Sequence, residues 1–172
     1  MRQWLVHRSQ PSPNHDERAL PVSMLVLHYT GMPTGEEALA RLCDPRAKVS
    51  AHYFIDEDGT VTQLVEEERR AWHAGRSYWR GVTDVNSASI GIELVNPGHE
   101  WGYREFTRAQ MEALCPLAAD IIKRHDIPRA NVVGHSDIAP SRKQDPGELF
   151  DWPLLARLKL ALAIPKPRIS LL

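Results

Sequence analysis

Residues 133–147, VGHSDIAPSRKQDPG, decide the fold because they join the end of a predicted buried strand to a rigid loop. Proline fixes backbone angles and glycine relaxes them, so a loop that carries both at set places holds its side chains in one arrangement. His135 and Asp145 can therefore converge on one point, and imidazole nitrogen and carboxylate oxygen are both zinc ligands. Two ligands are too few, because a catalytic zinc normally takes three from the protein and leaves the fourth position for water.

A second strand of the chain ends in the same way. Residues 24–27, MLVL, form a compact apolar run that is followed at once by His28 and soon after by Gly31. In open α/β sheets, ligands bind outside the ends of the strands. A lone histidine here would more often be structural, but the shared pattern favours His28 as a further ligand of the same site.

Glu93 lies inside an apolar strand that is predicted over residues 86–96, NSASIGIELVN. A carboxylate in such a place is costly unless it has a partner, because burial disfavours its charged form. One interpretation is a structural salt bridge. The other is a general base with a raised pKa beside a metal, and the metal ligands proposed above favour this second interpretation.

Hydrophobic periodicity predicts an α/β chain. Residues 49–55 and 61–65 form a hairpin around an Asp-Gly turn. A long helix is expected over residues 108–125, with Pro116 kinking or splitting it, and a last helix over residues 152–163.

Two further expectations concern the orientation of one strand and the two ends of the chain. Neighbouring residues of a strand face opposite sides, so one of His52 and Tyr53 points toward the site, and the sequence does not say which. Residues 1–23 are expected to be an irregular lead-in, and residues 164–172 a loosely held tail.

The loop around residues 70–81 carries Trp72 and His73 beside small residues, and Trp101 lies in a later loop. Aromatic side chains with polar edges suit contacts to sugars and peptides. We therefore expect these loops to line a binding groove, the alternative being that Trp72 plugs the edge of the core.

Composition excludes several classes of protein. The 172 residues are 42% hydrophobic and 25% charged, which is ordinary for one globular domain. A net charge of −1 gives no long-range field for nucleic acid or an anionic membrane, and no apolar stretch approaches the roughly 20 residues of a membrane span. Charged and polar residues recur through the N-terminal segment where a signal peptide would be apolar, so we expect a cytoplasmic location, with the periplasm as the open alternative.

Five motifs, taken in order, resemble the zinc-dependent N-acetylmuramoyl-L-alanine amidases of type 2. They are LHYT, SAHYFIDEDGTVTQLV, RRAWHAG, SIGIELVN and GHSDIAPSRKQDPG, and they extend over about residues 24–152. This family shares its fold with T7 lysozyme and the peptidoglycan recognition proteins. The resemblance implies one amidase domain over residues 1–172, with a central mixed β-sheet flanked by helices.

The resemblance also implies a function and a set of roles. One Zn²⁺ would be bound by His28, His135 and Asp145, with Glu93 as the catalytic carboxylate and Lys143 stabilising the transition state. The reaction would be hydrolysis of the amide between N-acetylmuramic acid, or its 1,6-anhydro form, and L-alanine. The expected partners are muropeptides, with no nucleic acid and no membrane insertion, while the oligomeric state stays open. Further substrate contacts are expected from Tyr53, Trp72, His73, Trp101, Arg76 and Arg142.

Three other functions compete with this prediction. A muropeptide-binding module without turnover would need a weak or absent zinc, and the complete ligand set argues against it. A zinc hydrolase of the same fold could cleave a different amide, because the ligand set only activates water. A structural or interaction protein would not explain two histidines at strand ends together with a loop aspartate.

Overall fold

The computed structural model describes residues 5–162. Short connections join its strands and helices in an order typical of α/β proteins. In chain order, the elements are β1 (Arg8–Ser9), β2 (His15–Glu17), β3 (Met24–Tyr29), α1 (Gly35–Cys43), β4 (Tyr53–Ile55), β5 (Val61–Gln63), β6 (Arg69–Ala71), α2 (Val85–Ala88), β7 (Ser89–Leu94), α3 (Gly98–Trp101), α4 (Arg108–His125), β8 (Val132–Gly134), α5 (His135–Ile138) and α6 (Trp152–Arg157).

Six strands form one mixed sheet in the order β1-β5-β4-β7-β3-β8. The three strands β7, β3 and β8 are parallel, as is the β4–β7 pair, whereas β4 and β5 form the predicted antiparallel hairpin. Gly59 occupies the hairpin turn with a φ of 85°, a conformation that glycine adopts without strain. The sheet and its flanking helices confirm the predicted mixed α/β architecture.

Helix α4 covers one face of this sheet. Thr107 begins the helix with a capping box, in which its side chain accepts from the Gln110 amide and the Gln110 side chain accepts in return from the Thr107 amide. The buried residues of this layer come from the middle strands and from the inner side of α4: Leu25, Leu27, Ile90, Ile92, Leu94, Leu114, Leu117 and Ile121.

Of the kink or split predicted at Pro116, the split is wrong, since α4 continues through this residue as one helix of 18 residues, and the kink stays a prediction. Proline removes one backbone hydrogen bond from a helix. Burial of a whole helix face against the sheet offsets that single loss, because tertiary packing supplies most of the stability of a helix in a protein.

The prediction of an irregular lead-in over residues 1–23 is also wrong in part. β1 pairs in parallel with β5, and β2 pairs antiparallel with β6 in a separate two-stranded sheet. Strands of two and three residues are too short to show an alternating pattern, so their partners define them rather than their own sequence. The tail predicted at residues 164–172 lies outside the described residues.

The last helix is shorter than predicted. α6 ends at Arg157, where the chain turns back so that the amides of Leu160 and Ala161 donate to the carbonyl of Leu155. This turn buries Leu160 and Ala161, which the periodicity had assigned to the helix. Among residues 5–162, none of the helices combines the length and apolar character that crossing a bilayer requires.

Candidate active site

The parallel strands bring three functional residues to one edge of the sheet. His28 at the end of β3 lies opposite Glu93 of β7, and Leu27 lies opposite Gly134 of β8. His135 follows Gly134 directly, so it reaches the level of His28. Paired residues of parallel strands face the same side, which places both histidines and Glu93 on the face that α4 leaves open.

His28, His135 and Asp145 form a buried triangle of possible metal ligands. Nδ1 of His28 lies 3.0 Å from Nδ1 of His135 and 2.9 Å from Oδ2 of Asp145. Nδ1 of His135 lies 3.1 Å from the same carboxylate oxygen. Two imidazoles and one carboxylate are the ligand types of a catalytic zinc site with an open fourth position.

The groups around the triangle leave lone pairs of the ring nitrogens directed into it, and this arrangement suits a metal ion rather than a proton. Nε2 of His135 lies 2.9 Å from the carbonyl oxygen of Ala74, and a carbonyl only accepts. His135 therefore carries its proton on Nε2 and directs the Nδ1 lone pair at the triangle. Burial, together with the neighbouring His135, lowers the pKa of His28 to about 4, which favours the neutral ring that binds metals. These residues thus fit a divalent cation.

Hydrogen bonds and close packing near Gly134 hold the loop that carries Asp145 in place. Asp137 accepts a hydrogen bond from the amide of Gly134 and so braces the start of this loop. The amide of Ser136 donates to the carbonyl of Asp145. Gly134 has no alternative here, because a Cβ at this position would lie 2.6 Å from the Pro146 ring.

Glu93 is buried beside the triangle and lacks a full set of partners. It is 8% exposed, and none of the described residues hydrogen-bonds its buried Oε2 atom. Burial, reinforced by the negative charge of Asp145 and partly offset by Lys143, raises the pKa of Glu93 well above its usual value. A buried carboxyl with a raised pKa and an unused oxygen is suited to general acid–base chemistry.

A groove of about 640 Å³ opens over the triangle. Glu93 and Lys143 line it together with all three possible metal ligands, and Trp101 lies at its edge with 55% of its surface exposed. The groove therefore gathers every residue for which the sequence predicted metal binding or catalysis. Trp101 lines the groove, and its contact with substrate stays a prediction.

The expectation that Tyr53 or His52 points into the groove is wrong. Tyr53 packs in the layer under α4, and its hydroxyl donates to Oε1 of Glu67 over 2.6 Å. His52 lies on the other face, but its Nδ1 accepts from the Gly91 amide and its Nε2 lies 3.0 Å from the Arg69 carbonyl. Both side chains are fully buried, and neither lines the groove.

Two further residues predicted to bind substrate lie away from the groove. Trp72 is half-buried, its backbone pairs with Ser50, and its indole nitrogen has no partner among the described residues. Arg76 is exposed and meets the site only through its carbonyl oxygen, which accepts from Arg142. The loop around residues 70–81 therefore contacts the site through atoms other than the side chains of Trp72 and Arg76.

His73 and Arg142 lie in the groove lining but are already engaged. Nδ1 of His73 lies 3.0 Å from Nε2 of His28, and burial, with the nearby His28 ring, lowers the pKa of His73 well below its usual value. Nη2 of Arg142 donates to the carbonyls of Ala74 and Arg76, each over 2.8 Å. Both residues therefore hold the site together, and their predicted contacts with substrate stay predictions.

Sequence reasoning missed two buried polar residues behind the groove. Ser89 hydrogen-bonds His73, and the side chain of Asn86 accepts from the amides of His73 and Ala74. Ser89 and Gly91 share the strand face of Glu93, so the alternation along β7 could have identified them. Nothing in the local sequence indicates the long-range role of Asn86.

A second missed group forms one rim of the groove. The Tyr29 hydroxyl lies 3.0 Å from Nδ1 of His99, whose Nε2 lies 2.9 Å from Oε2 of Glu148. The His99 ring stacks on Tyr103, and the Tyr103 hydroxyl donates to the carbonyl of Pro146. These contacts join the loop after β7 to the loop that carries Asp145.

The family model described as N-acetylmuramoyl-L-alanine amidase (Amidase_2) matches residues 18–148 of this chain. The chain is 45% identical to N-acetylmuramoyl-L-alanine amidase AmiD of Escherichia coli, over 79% of this chain and 52% of that protein. It is 40% identical to 1,6-anhydro-N-acetylmuramyl-L-alanine amidase AmpD of Enterobacter cloacae, over 87% of this chain and 88% of that protein. The chain thus spans about half of AmiD and most of AmpD.

A solved structure shows the same fold. The E. coli amidase AmiD, in complex with the substrate anhydro-N-acetylmuramic acid-L-Ala-D-γ-Glu-L-Lys, superposes with a TM-score of 0.76 at 42% sequence identity. The match covers 89% of this chain and 63% of that one. The similarity in fold therefore extends over most of this chain.

Proposed function

Because the chain belongs to the N-acetylmuramoyl-L-alanine amidase family, we propose that it hydrolyses the amide between N-acetylmuramic acid, or its 1,6-anhydro form, and L-alanine of the stem peptide. One observation carries this proposal: a possible metal site and an incompletely partnered, buried carboxylate line the same groove. The substrate class follows that of the relatives, whose names specify muramyl amides and, for AmpD, the anhydro form.

The metal in this proposal is one Zn²⁺, held by His28, His135 and Asp145. When bound, zinc supplies Lewis-acid chemistry, polarising a carbonyl and lowering the pKa of water toward about 7. Asp145 contributes the negative charge of the ligand set, and the two neutral imidazoles complete it.

Glu93 would move the proton. Its carboxylate takes a proton from the attacking water as the new C–O bond forms, and delivers it to the amine nitrogen of L-alanine as the C–N bond breaks. The raised pKa suits this exchange, because a carboxylate with its usual low pKa is a weak base and takes a proton from water poorly. Burial of Glu93 also keeps bulk water from competing for the proton.

Lys143 would stabilise the oxygen on which negative charge develops. We expect Lys143→Met to lower kcat roughly 10²- to 10³-fold, as loss of one such donor typically does, without loss of zinc. Lys123→Met is the matched control, because it removes the same charge from an exposed position on α4. Steady-state rates and metal content would be measured together, and equal rates for the two variants would remove Lys143 from the mechanism.

The decisive experiment for the reaction identifies its products. The purified protein would be incubated with anhydro-N-acetylmuramic acid-L-Ala-D-γ-Glu-L-Lys and the mixture analysed by mass. We expect anhydro-N-acetylmuramic acid and the intact tripeptide L-Ala-D-γ-Glu-L-Lys, whose masses sum to that of the substrate plus one water. Binding with no cleavage would indicate a muropeptide-binding module, and cleavage within the tripeptide would indicate a different amide.

A cytoplasmic location remains a prediction from the sequence. It would assign the protein to the recycling of muropeptides rather than to the intact wall. Fractionation of producing cells tests it, and recovery of the protein with the periplasmic contents would contradict it.

A further inference from the structure

Behind the metal triangle, a line of polar groups leads from His28 into the sheet. Nε2 of His28 lies 3.0 Å from Nδ1 of His73, and Nε2 of His73 lies 3.1 Å from Oγ of Ser89. The Ser89 hydroxyl lies 2.5 Å from the carbonyl oxygen of Val85. All three side chains are at most 5% exposed, so water does not interrupt the line.

The direction of every hydrogen bond in this line follows from its last member. The Val85 carbonyl can only accept, so the single hydroxyl proton of Ser89 must point toward it. Ser89 then offers a lone pair to His73, which must carry its proton on Nε2. A neutral imidazole has one N–H, so Nδ1 of His73 is an acceptor and Nε2 of His28 must donate to it. The remaining lone pair of His28 lies on Nδ1, inside the triangle.

We propose that Ser89 and His73 are positioning residues that set the tautomer of His28, so that its Nδ1 lone pair is presented to the metal. This proposal rests on the metal site of the proposed function and adds residues that act through a ligand. If His73 carried its proton on Nδ1, it would donate to His28, and the His28 proton would move to Nδ1 and block the metal.

The loop formed by residues 73–75 orients both histidine ligands at once. The His73 side chain fixes His28, and the Ala74 carbonyl accepts from His135. Asn86 holds this loop by accepting from the amides of His73 and Ala74, at 3.0 and 2.8 Å. Gly91 leaves room for the arrangement, because a Cβ there would lie 2.5 Å from Cγ of the His73 ring.

The first test measures metal affinity. Zn²⁺ would be titrated into metal-free wild-type protein and into Ser89→Ala, in competition with a chromophoric chelator. We expect Ser89→Ala to bind Zn²⁺ about 10- to 100-fold more weakly, the usual effect of removing a group that orients a ligand. Ser87→Ala is the matched control: it also loses a buried hydroxyl, which accepts from the Ala19 amide and, among the described residues, forms no hydrogen bond with a histidine. Equal affinities for the two variants would overturn the proposal.

The second test needs no variant and no metal. In protein labelled with ¹⁵N-histidine, two-bond ¹H–¹⁵N correlations show which ring nitrogen carries the proton. We expect the proton of His73 on Nε2, with or without Zn²⁺, and that of His28 on Nε2 once Zn²⁺ is added. A His73 proton on Nδ1 would overturn the proposal even in an active zinc enzyme. A wild-type protein that binds no Zn²⁺ would instead contradict the proposed function, while the tautomer of His73 would still be read.

Discussion

Replacing Glu93 with glutamine is expected to reduce turnover roughly 10²- to 10⁴-fold, the range that a positioned general acid–base supplies, while the protein still binds one Zn²⁺. Glutamine has nearly the shape of glutamate but cannot accept and return a proton. Glu93 forms no salt bridge among the described residues. The substitution therefore removes its ability to transfer a proton without breaking an ion pair. Hydrolysis rates and zinc content would be compared with Glu105→Gln, which changes an exposed glutamate. A near-normal rate for Glu93→Gln would exclude Glu93 from the reaction.

The same variant is expected to alter stability with a definite pH dependence. Burial raises the pKa of Glu93 in the folded protein, so between the unfolded and folded pKa values the folded state binds more protons than the unfolded state. The free energy of unfolding of the wild type therefore falls as pH rises above about 4.3, whereas glutamine has no proton to lose. In metal-free protein, urea unfolding at pH 5 and pH 8 should show Glu93→Gln gaining stability relative to wild type at the higher pH. A constant difference between the two would contradict the buried, proton-holding state of Glu93.

Replacing Asp145 with asparagine is expected to abolish both zinc retention and turnover. Oδ2 of Asp145 lies within 3.1 Å of both ligand nitrogens and provides the only carboxylate of the set. An asparagine amide can donate to those two nitrogens, so the fold should persist while the negative charge is lost. Asp151→Asn is the control, because Asp151 only caps α6 and asparagine caps a helix equally well.

Thermal unfolding gives this prediction a second readout. A ligand that binds only the folded state stabilises it by about 4 kcal/mol when present at a thousand times its dissociation constant. Added Zn²⁺ should therefore raise the unfolding midpoint of the wild type and of Asp151→Asn, and leave that of Asp145→Asn almost unchanged. A comparable rise for Asp145→Asn would show that zinc binds elsewhere.

The positions of His28 and His135 were predictable because they depend on strand ends, whereas Asp145 was expected from the loop that follows. Apolar runs before His28 and His135 predict buried strands, and neighbouring parallel strands end at one edge of a sheet. Glu93 was predictable for a similar reason, since a carboxylate inside an apolar strand needs a special environment. These inferences need only local pattern and the regular geometry of a sheet.

The supporting residues were not predictable because their roles depend on contacts distant in sequence. Tyr53 and its neighbours could face either layer until Glu67 and α4 were in place, and the strand pattern contains neither. The alternation along β7 places Ser89 on the face of Glu93, but its contact with His73 and the role of Asn86 come from a loop that crosses behind the triangle. Arg142 donates to the backbone carbonyls of Ala74 and Arg76, which are more than 60 residues away in sequence and which no local pattern indicates.

The proposed activity depends on one zinc held by His28, His135 and Asp145. The most direct measurement follows zinc content and hydrolysis of an anhydromuropeptide in one sample through removal of metal by a chelator and return of Zn²⁺. The proposed mechanism predicts one zinc per chain at full rate, loss of both together, and recovery of both at one equivalent. Hydrolysis that continues in the metal-free protein would contradict it.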